Sequence, residues 1–402
     1  MIRVVLRHEP LQRRILSYLL PIDIVRHIKY YLLSYFYLAM GLCAFGQTPP
    51  VDLANISLGD LLNAKIIRSH SNQAAHVAIV EGREGVPEGN LDWKRFHFSL
   101  SYIDVKFDGY KKGTSDLSVD NVLWSGPTSG EARTDENFPV VPTKIYQQAI
   151  QLKGAYDISE QYSLSLSIPY IQQETEHVSS VPGFDDFTII SEGFGDIEAG
   201  VSWLHWFNQN NSLLVNLGLS FPTGSIDEKG RTPRDANQDT QLPYTMQLGS
   251  GTYDIKPSII YTGRAGDWTY GANLNLTLRT GKNSRDYRLG NVYQADIWTR
   301  YALADWVQPS IRINGIIWDC ISGQDDEITV PGPFPYPAAV TNPKLFGGTK
   351  CLALFGLRFR DPEGWLEDTF LEVEAGLPIY ERLNGPQPSE DWRFSVSLVL
   401  SF

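Results

Sequence analysis

Residues Trp392–Phe402 read Trp-Arg-Phe-Ser-Val-Ser-Leu-Val-Leu-Ser-Phe. Every even position in this stretch is apolar, and the odd positions are polar apart from Val399. An alternation with a period of two residues predicts a β-strand with one apolar and one polar face. About ten residues of tilted strand cross the hydrocarbon core of a bilayer. Because lipid tolerates a sheet only when every strand edge is paired, one such strand predicts a closed barrel.

The same alternation recurs upstream and is cleanest in Leu213–Phe221. It predicts an all-β fold, an antiparallel transmembrane β-barrel of about 12 strands. Short connections are predicted at 157–161, 207–211, 263–266, 304–305 and 361–367, and long ones at 108–146, 172–193, 222–250, 280–290, 321–350 and 378–390. Outer-membrane barrels have short periplasmic turns and long external loops. A soluble β-sandwich, the alternative, offers no physical reason for this strict alternation of connection lengths.

The composition of the amino-terminal residues predicts that the protein is exported. Residues 1–46 have a basic front, an apolar stretch and small residues near their end, and we interpret them as a signal peptide. An uncleaved membrane helix is the alternative. Residues 47–94 are predicted to be a periplasmic lead segment, in which the apolar positions of 51–66 have the spacing of a short amphipathic helix. This helix would partly plug the barrel or bind a periplasmic partner. An ordinary role in packing is an equal alternative. Residues 95–402 then form the barrel.

Composition excludes several classes of function. The net charge of −12 argues against a nucleic-acid partner, because nucleic acids bind basic surfaces. The sequence contains no nucleotide-binding loop and no zinc-ligand spacing, so we predict neither a cofactor nor a metal site. Aromatic residues make up 12% of the chain, which fits the interfacial girdles of a membrane barrel.

The polar faces of the predicted strands carry charges of both signs. A barrel of this size is too wide for side chains alone to fill, so its lumen is predicted to hold water, ion-paired side chains or a plug. Two roles remain open for the charges: a network of ion pairs that braces the wall, or a zone that selects solutes. The candidate lumen residues are Glu198, Asp254, Arg300, Arg312, Arg358, Glu372, Glu374 and Arg393.

Two cysteines lie beyond the signal peptide. Cys320 follows the ninth predicted strand and Cys351 begins the tenth. Because exported proteins meet an oxidising compartment, we predict a disulfide between them at the base of the loop 321–350. Two free thiols are the alternative.

Several stretches resemble a family of outer-membrane transporters related to the "MetA-pathway of phenol degradation" proteins. They are Gly193–Ile197, Leu217–Ser225, Leu242–Asp254, Asn283–Gly290, Leu383–Gln387 and the terminal strand. The resemblance implies a barrel and an uptake or efflux pore. It brings no defined catalytic or binding residues.

We therefore predict a channel or transporter for small solutes in the bacterial outer membrane, surrounded by its lipids. Phenolics and other aromatic hydrocarbons, small organic acids and other small organics, and metal cations remain open as solutes. One alternative is a scaffold or adhesin without a channel, which would explain the long loops. A hydrolase built on His97 with Ser99 and Ser101 is a weaker alternative, because serines are common on a polar strand face. We do not predict an enzyme.

Overall fold

The computed structural model describes residues 95–360 and 369–401. The predicted signal peptide 1–46, the lead segment 47–94 with its helix at 51–66, and the predicted turn at 361–367 lie outside the described residues. Within the described part of the chain, no helix has the length and apolar character needed to span a membrane.

Strands account for most of the described chain. They are β1 (Phe96–Gly113), β2 (Ser115–Leu117), β3 (Val140–Asp157), β4 (Tyr162–Ser179), β5 (Asp186–Phe194), β6 (Ile197–Asn208), β7 (Asn211–Phe221), β8 (Lys229–Thr232), β9 (Asp235–Gln241), β10 (Tyr253–Ala265), β11 (Trp268–Thr280), β12 (Tyr287–Arg288), β13 (Val292–Tyr301), β14 (Val307–Trp318), β15 (Ser322–Gly323), β16 (Gly348–Arg360) and β17 (Phe370–Ser401). One short helix, α1 (Val119–Val122), and the 3-10 turns Tyr244–Met246, Asp326–Ile328, Ala339–Thr341 and Pro343–Leu345 lie in the connections.

Antiparallel pairing closes these strands into a barrel. The ring runs β1, β3, β4, β6, β7, β10, β11, β13, β14, β16, β17 and back to β1. Closure brings the two ends of the described chain together, since His97 lies opposite Ser401 and Leu100 opposite Leu398. β5 continues the wall beside the upper part of β4, where β6 no longer pairs with it. The predicted antiparallel barrel is therefore confirmed.

The last element, β17, contributes two segments to the wall. Its residues up to Leu383 pair with β16, and its residues from Leu383 onward pair with β1. The two halves lie side by side, since the Ser395 hydroxyl donates a hydrogen bond of 3.4 Å to the carbonyl oxygen of Glu374. With both halves counted, the described ring agrees with the prediction of about 12 strands.

The connections alternate between a short-turn end and a long-loop end, as predicted. Two predicted loops are wrong, because residues 378–390 belong to β17 and most of 172–193 belongs to β4 and β5. The chain reverses direction around Asn384-Gly385-Pro386, because the part of β17 before it pairs with β16 and the part after it pairs with β1. Several strands also extend further toward the long-loop end than predicted, since β1 ends at Gly113 and β3 begins at Val140.

An apolar band covers the outside of the barrel. Leu217 is 49% exposed and Leu398 is 37% exposed, so the apolar faces of their strands point away from the interior. The same face carries Leu100, Ile150, Leu152, Leu164, Leu166, Leu219, Ile259, Leu274, Ile311, Phe355, Leu357 and Leu377. An exposed apolar surface of this extent would be unstable in water, so the band is a lipid-facing surface.

Aromatic side chains mark both borders of this band. Tyr162, Trp203, Trp268 and Trp306 are exposed near the short-turn end, and Tyr170, Phe194, Phe221 and Tyr253 are exposed near the long-loop end. Neighbouring members touch across strands, such as Tyr170 and Phe194 with ring centroids 5.4 Å apart. Two aromatic girdles around an apolar band are the interfacial pattern of outer-membrane barrels.

Leu217 tests the lipid contact directly. We expect Leu217→Arg to lower the unfolding free energy in lipid vesicles by about 2–4 kcal/mol, because a charge near the bilayer midplane loses its hydration. Denaturant titration followed by tryptophan fluorescence measures the change, with Leu217→Ala as the apolar control. An arginine variant as stable as the alanine variant would show that this face does not contact acyl chains.

Candidate functional site

The interior of the barrel holds the charged residues that the sequence singled out. Seven of the eight candidates are buried, and the side chain of Glu198 is 16% exposed. They lie on the inner face of their strands, opposite the apolar band. The lumen wall is therefore highly charged although little water reaches it.

Each of these charges contacts a charge of opposite sign. Asp254 and Arg279 are direct partners in β10 and β11 and form an ion pair. Arg358 and Glu372 are direct partners in β16 and β17, and Arg358 Nε donates to Glu372 Oε2 over 3.0 Å. Arg300 reaches the same carboxylate from β13 at 3.5 Å.

A second carboxylate in β17 forms ion pairs with two basic side chains. Arg393 Nε donates to Glu390 Oε1 over 2.7 Å, and Lys350 forms an ion pair with the other oxygen of Glu390. Lys350 and Glu390 are almost completely buried. Because a buried charge is costly unless it is paired, these contacts explain how the wall accommodates so many ionised groups.

Two further ion pairs cross over an intervening strand at a glycine. Glu198 of β6 reaches Lys256 of β10 at 3.4 Å, passing β7 at Gly218. A Cβ atom added at Gly218 would lie 2.8 Å from Glu198 Oε1. Glycine at this position therefore leaves the space through which the carboxylate reaches its partner.

The other crossing lies further around the ring. Arg312 of β14 binds Glu374 of β17 across β16, where Gly356 occupies the intervening inward position. Arg312 also lies 3.5 Å from Asp296 of β13. These crossings tie strands that are not neighbours, so they oppose flattening of the ring.

Gly218→Ala tests the first crossing. The added methyl group displaces the Glu198 carboxylate from Lys256, and we expect the unfolding free energy to fall by about 1–3 kcal/mol. Gly315→Ala is the matched control, because its Cβ would lie 3.8 Å from the nearest heavy atom, the carbonyl oxygen of Ala295. Equal stability of the two variants in denaturant titration would contradict a bracing role for this pair.

Toward the long-loop end, the inner wall becomes apolar. The residues that meet there are Ile103, Val105, Phe107, Ile145, Ala149, Ile171, Leu248, Val292, Ile316, Trp318, Leu352, Leu354 and Leu383. All but Leu248 lie on barrel strands. Leu248 belongs to the inserted segment, residues 241–250 of the connection between β7 and β10, which is buried throughout.

The inserted segment is attached to the inner face of β4. Gln173 Nε2 donates to the carbonyl oxygen of Gln247 over 3.2 Å, and the Thr175 hydroxyl lies 3.2 Å from Met246 Sδ. A small cavity borders this segment, lined by residues that include Ile171, Asp196, Glu198, Leu248 and Lys256. The inserted segment thus lies where the apolar and the charged parts of the lumen meet.

Asp196 fastens the inserted segment to the wall. Its Oδ2 accepts hydrogen bonds from the backbone N–H and the hydroxyl of Ser250, both over 2.8 Å, and its Oδ1 accepts one from the N–H of Gly224 over 2.9 Å. Asn283 Nδ2 donates to the carbonyl oxygen of Ser250 over 3.1 Å. A Cβ added at Gly249 would lie 2.4 Å from the Gly224 carbonyl oxygen, so this close approach requires glycine.

These residues join four of the stretches on which the family resemblance was based. Gly193–Ile197 supplies Asp196, Leu217–Ser225 supplies Gly224, and Leu242–Asp254 supplies Ser250, while Asn283–Gly290 supplies Asn283. The sequence identified the four stretches but not their meeting point. The first three carry a short polar residue beside a glycine, whereas Asn283 has no glycine neighbour.

Asp196→Ala tests this attachment. Loss of a carboxylate that accepts three hydrogen bonds frees the inserted segment, and we expect chymotrypsin cleavage after Tyr244 or Leu248 to accelerate about tenfold or more. The protein is reconstituted in vesicles and the fragments are identified by mass spectrometry. Asp185→Ala, an exposed aspartate in the neighbouring loop, is the control. Identical cleavage in both variants would show that Asp196 does not hold the segment.

The long connections pack together above the lumen. We refer to 222–252, 281–291 and 319–347 together as the loop cap. Its apolar cluster comprises Tyr244, Tyr287, Leu289, Ile321, Ile328 and Phe346. β12 and β15 pair within this cap and join the second connection to the third.

Arg285 links all three connections of the loop cap. It contacts Asp227 at 2.8 Å, Asp325 at 2.6 Å and Glu327 at 2.8 Å. Burial alone would lower the pKa of Arg285, but its hydrogen bonds to Asp325 and Glu327 outweigh burial and raise the pKa. The hydrogen bond from Arg285 lowers the pKa of the Glu327 carboxyl group. The contacts therefore remain ionic at neutral pH.

The predicted disulfide is wrong. Cys320 is an exposed free thiol. Cys351 lies opposite Gly315 in the sheet, whereas Cys320 comes after the end of β14 at Trp318. Sequence proximity to the base of one loop therefore did not place the two sulfur atoms within bonding distance.

The residues of the hydrolase alternative do not form a nucleophile and base pair. His97 Nε2 lies 2.9 Å from Asp157 Oδ2. The Ser101 hydroxyl donates to Ser397 over 2.9 Å, and the buried Ser99 hydroxyl has no hydrogen-bond partner in the described part of the chain. Among the described residues, no group of three or more His, Cys, Asp or Glu side chains is arranged to hold a metal ion.

A closed ring of strands with an apolar exterior, two aromatic girdles and a charged interior defines a transmembrane β-barrel of the outer-membrane type. Residues 141–326 match the family described as "Putative MetA-pathway of phenol degradation". The resemblance inferred from the sequence is thus confirmed over that stretch. Among curated proteins, none matches this chain.

This chain is similar to several solved structures. An outer membrane channel from Pseudomonas putida F1 has a TM-score of 0.47 at 14% identity, with 79% of this chain and 100% of the channel covered. A Pseudomonas aeruginosa FadL homologue has a TM-score of 0.36 at 13% identity, covering 76% of this chain and 90% of its own. The Pseudomonas putida toluene transporter TodX has a TM-score of 0.38 at 9% identity, covering 79% and 90%. The fold assignment rests on the strand pairing and side-chain exposure of this chain itself.

Proposed function

We propose that the protein is an outer-membrane channel that carries small organic solutes through the barrel lumen. The observation that carries this proposal is the contrast between the two faces of the wall. The exterior is apolar where lipid meets it, whereas the interior is lined by amides, hydroxyls and ion pairs. A barrel that served only as an anchor would have no use for so polar an interior.

In this proposal the eight charged lumen residues brace the wall and do not sort ions. Every one of them contacts an opposite charge, as Arg312 does with Glu374 and Asp254 does with Arg279. Paired charges in close contact leave a weak net field in the lumen. A pore whose wall charges cancel in this way has little means of distinguishing cations from anions.

The loop cap is the gate of the proposed channel. The inserted segment and the three long connections cover the lumen at one end, with Arg285 as their shared contact. A scaffold or adhesin would present its loops outward, whereas these loops pack on each other and on the wall. The family description names phenol degradation, so small aromatic compounds are the first solutes to test. No catalytic step is part of this function.

Arg285→Ala tests the channel and its gate together. The full chain is reconstituted in liposomes, and solute entry is measured by osmotic swelling with arabinose as the probe. We expect slow entry in the wild type and entry about tenfold faster in the variant, because three ionic contacts between the loops are lost. Lys282→Ala, an exposed lysine in the same connection, is the control and should match the wild type.

Absence of arabinose entry in the wild type and in Arg285→Ala would overturn the channel proposal and favour a scaffold. Fast entry in the wild type that Arg285→Ala leaves unchanged would retain the channel but reject the loop cap as its gate. Heat-modifiable migration on gels verifies that each variant has formed a barrel.

A further inference from the structure

A row of buried side chains along β11 and β13 carries polar atoms that have no hydrogen-bond partner among the described residues. Asn273 and Asn275 are 4% and 7% exposed and point into the lumen. Within the described residues, neither the oxygen nor the nitrogen of either side-chain amide has a hydrogen-bond partner. Gln294 Nε2 and Trp298 Nε1 on β13 are likewise buried and without an acceptor there.

Strand pairing sets these groups in a line along the barrel. Asn275 lies opposite Gln294, Asn273 opposite Asp296, and Gly271 opposite Trp298. Successive inward side chains on a strand are separated by about 6.8 Å, so the three levels extend over roughly 13 Å of the wall. We call Asn273, Asn275, Gln294 and Trp298 the amide stripe.

Other amides of the lumen wall make at least one hydrogen bond within the protein. On β3 and β4, Gln147 Nε2 donates to Gln173 Oε1 over 2.9 Å. On β14, Asn314 Nδ2 donates to Asp296 Oδ1 over 3.2 Å. A buried polar group without a partner costs about 1–3 kcal/mol, so four of them in one line are unfavourable for a wall that only braces the barrel.

The stripe also has a flat apolar surface beside its polar groups. Gly271 leaves the space occupied by the ring of Trp298, since a Cβ at Gly271 would lie 2.6 Å from that ring. The guanidinium carbon of Arg300 lies 5.2 Å from the centroid of the Trp298 ring. An indole face next to donors and acceptors suits a solute that carries both an apolar face and hydroxyl groups.

We propose that the amide stripe is the solute-binding wall of the lumen and that it takes small uncharged solutes bearing hydroxyl groups. A hydroxyl group donates and accepts, and so it can bond to the oxygen and the nitrogen of Asn273 and Asn275 alike. A carboxylate or ammonium group could satisfy only one of the two. The one carboxylate beside the stripe, Asp296, lies near Arg312 at 3.5 Å, so its charge is offset.

This inference rests on the proposed channel function, but binding tests it separately from transport. Equilibrium dialysis of the full chain in detergent measures the dissociation constant of resorcinol, an uncharged aromatic ring with two hydroxyl groups. Two comparison ligands are toluene, an aromatic ring without hydroxyl groups, and benzoate, a negatively charged aromatic ring. We expect the wild type to bind resorcinol more tightly than either of them.

The double variant Asn273→Leu/Asn275→Leu removes the amides while keeping similar size. We expect its dissociation constant for resorcinol to rise about tenfold or more while that for toluene stays the same. The variant should fold, because it removes buried polar groups that lack partners.

Trp298→Phe keeps an aromatic ring without the N–H group and should weaken resorcinol binding by a smaller factor. Gln147→Met, which removes an amide that donates to Gln173 on another part of the wall, is the control.

Resorcinol binding that is unchanged in the double variant would overturn the stripe as a binding wall. Tighter binding of benzoate than of resorcinol in the wild type would overturn the preference for uncharged solutes. Failure of the channel itself would be recognised separately, as the absence of arabinose entry into liposomes despite intact resorcinol binding.

Discussion

The pairing of β1 with the second half of β17 is the constraint on which the rest of this structure depends. A strand edge exposed to lipid leaves backbone N–H and C=O groups without partners, and each unsatisfied group costs several kcal/mol. Because His97–Lys106 pair with Trp392–Ser401, the sheet has no free edge in the membrane. Closure fixes which face of every strand points inward, and this in turn decides where charge is permitted.

On the inward face, ion pairs between side chains of different strands stabilise the buried charges. Direct partners such as Asp254 and Arg279 need no glycine between them, because neighbouring strands place the two side chains next to each other. Pairs such as Glu198 and Lys256 need a glycine in the strand between them. The amide stripe departs from this pattern, since all four of its side chains carry polar atoms without protein partners among the described residues. We interpret this departure as the place where the wall meets a solute.

The two-residue alternation was sufficient to predict the fold and the inward position of the charged residues. It assigned Leu217 and Leu398 to the outer face and Arg312 and Glu374 to the inner face, because alternation reports the side of a strand directly. It overestimated the loop at 378–390, where pairing with β16 and β1 extends strand structure up to the reversal at Gly385 and Pro386. The partners across strands could not be predicted, because the register of each pair depends on contacts distant in sequence. Asp196 and Ser250 lie 54 residues apart, and no local pattern signals that they meet.

Closure also has a consequence for biogenesis. The hydroxyls of Ser101 and Ser397 bond across the seam although they are 296 positions apart in the chain. A contact of such high sequence separation forms late, because a long loop must first be closed. Until then β1 presents a bare edge that can recruit a strand from another chain. The edge of β1 is therefore the part of the chain most exposed to wrong pairing until β17 arrives, and mutations that weaken the seam should appear first as misassembly.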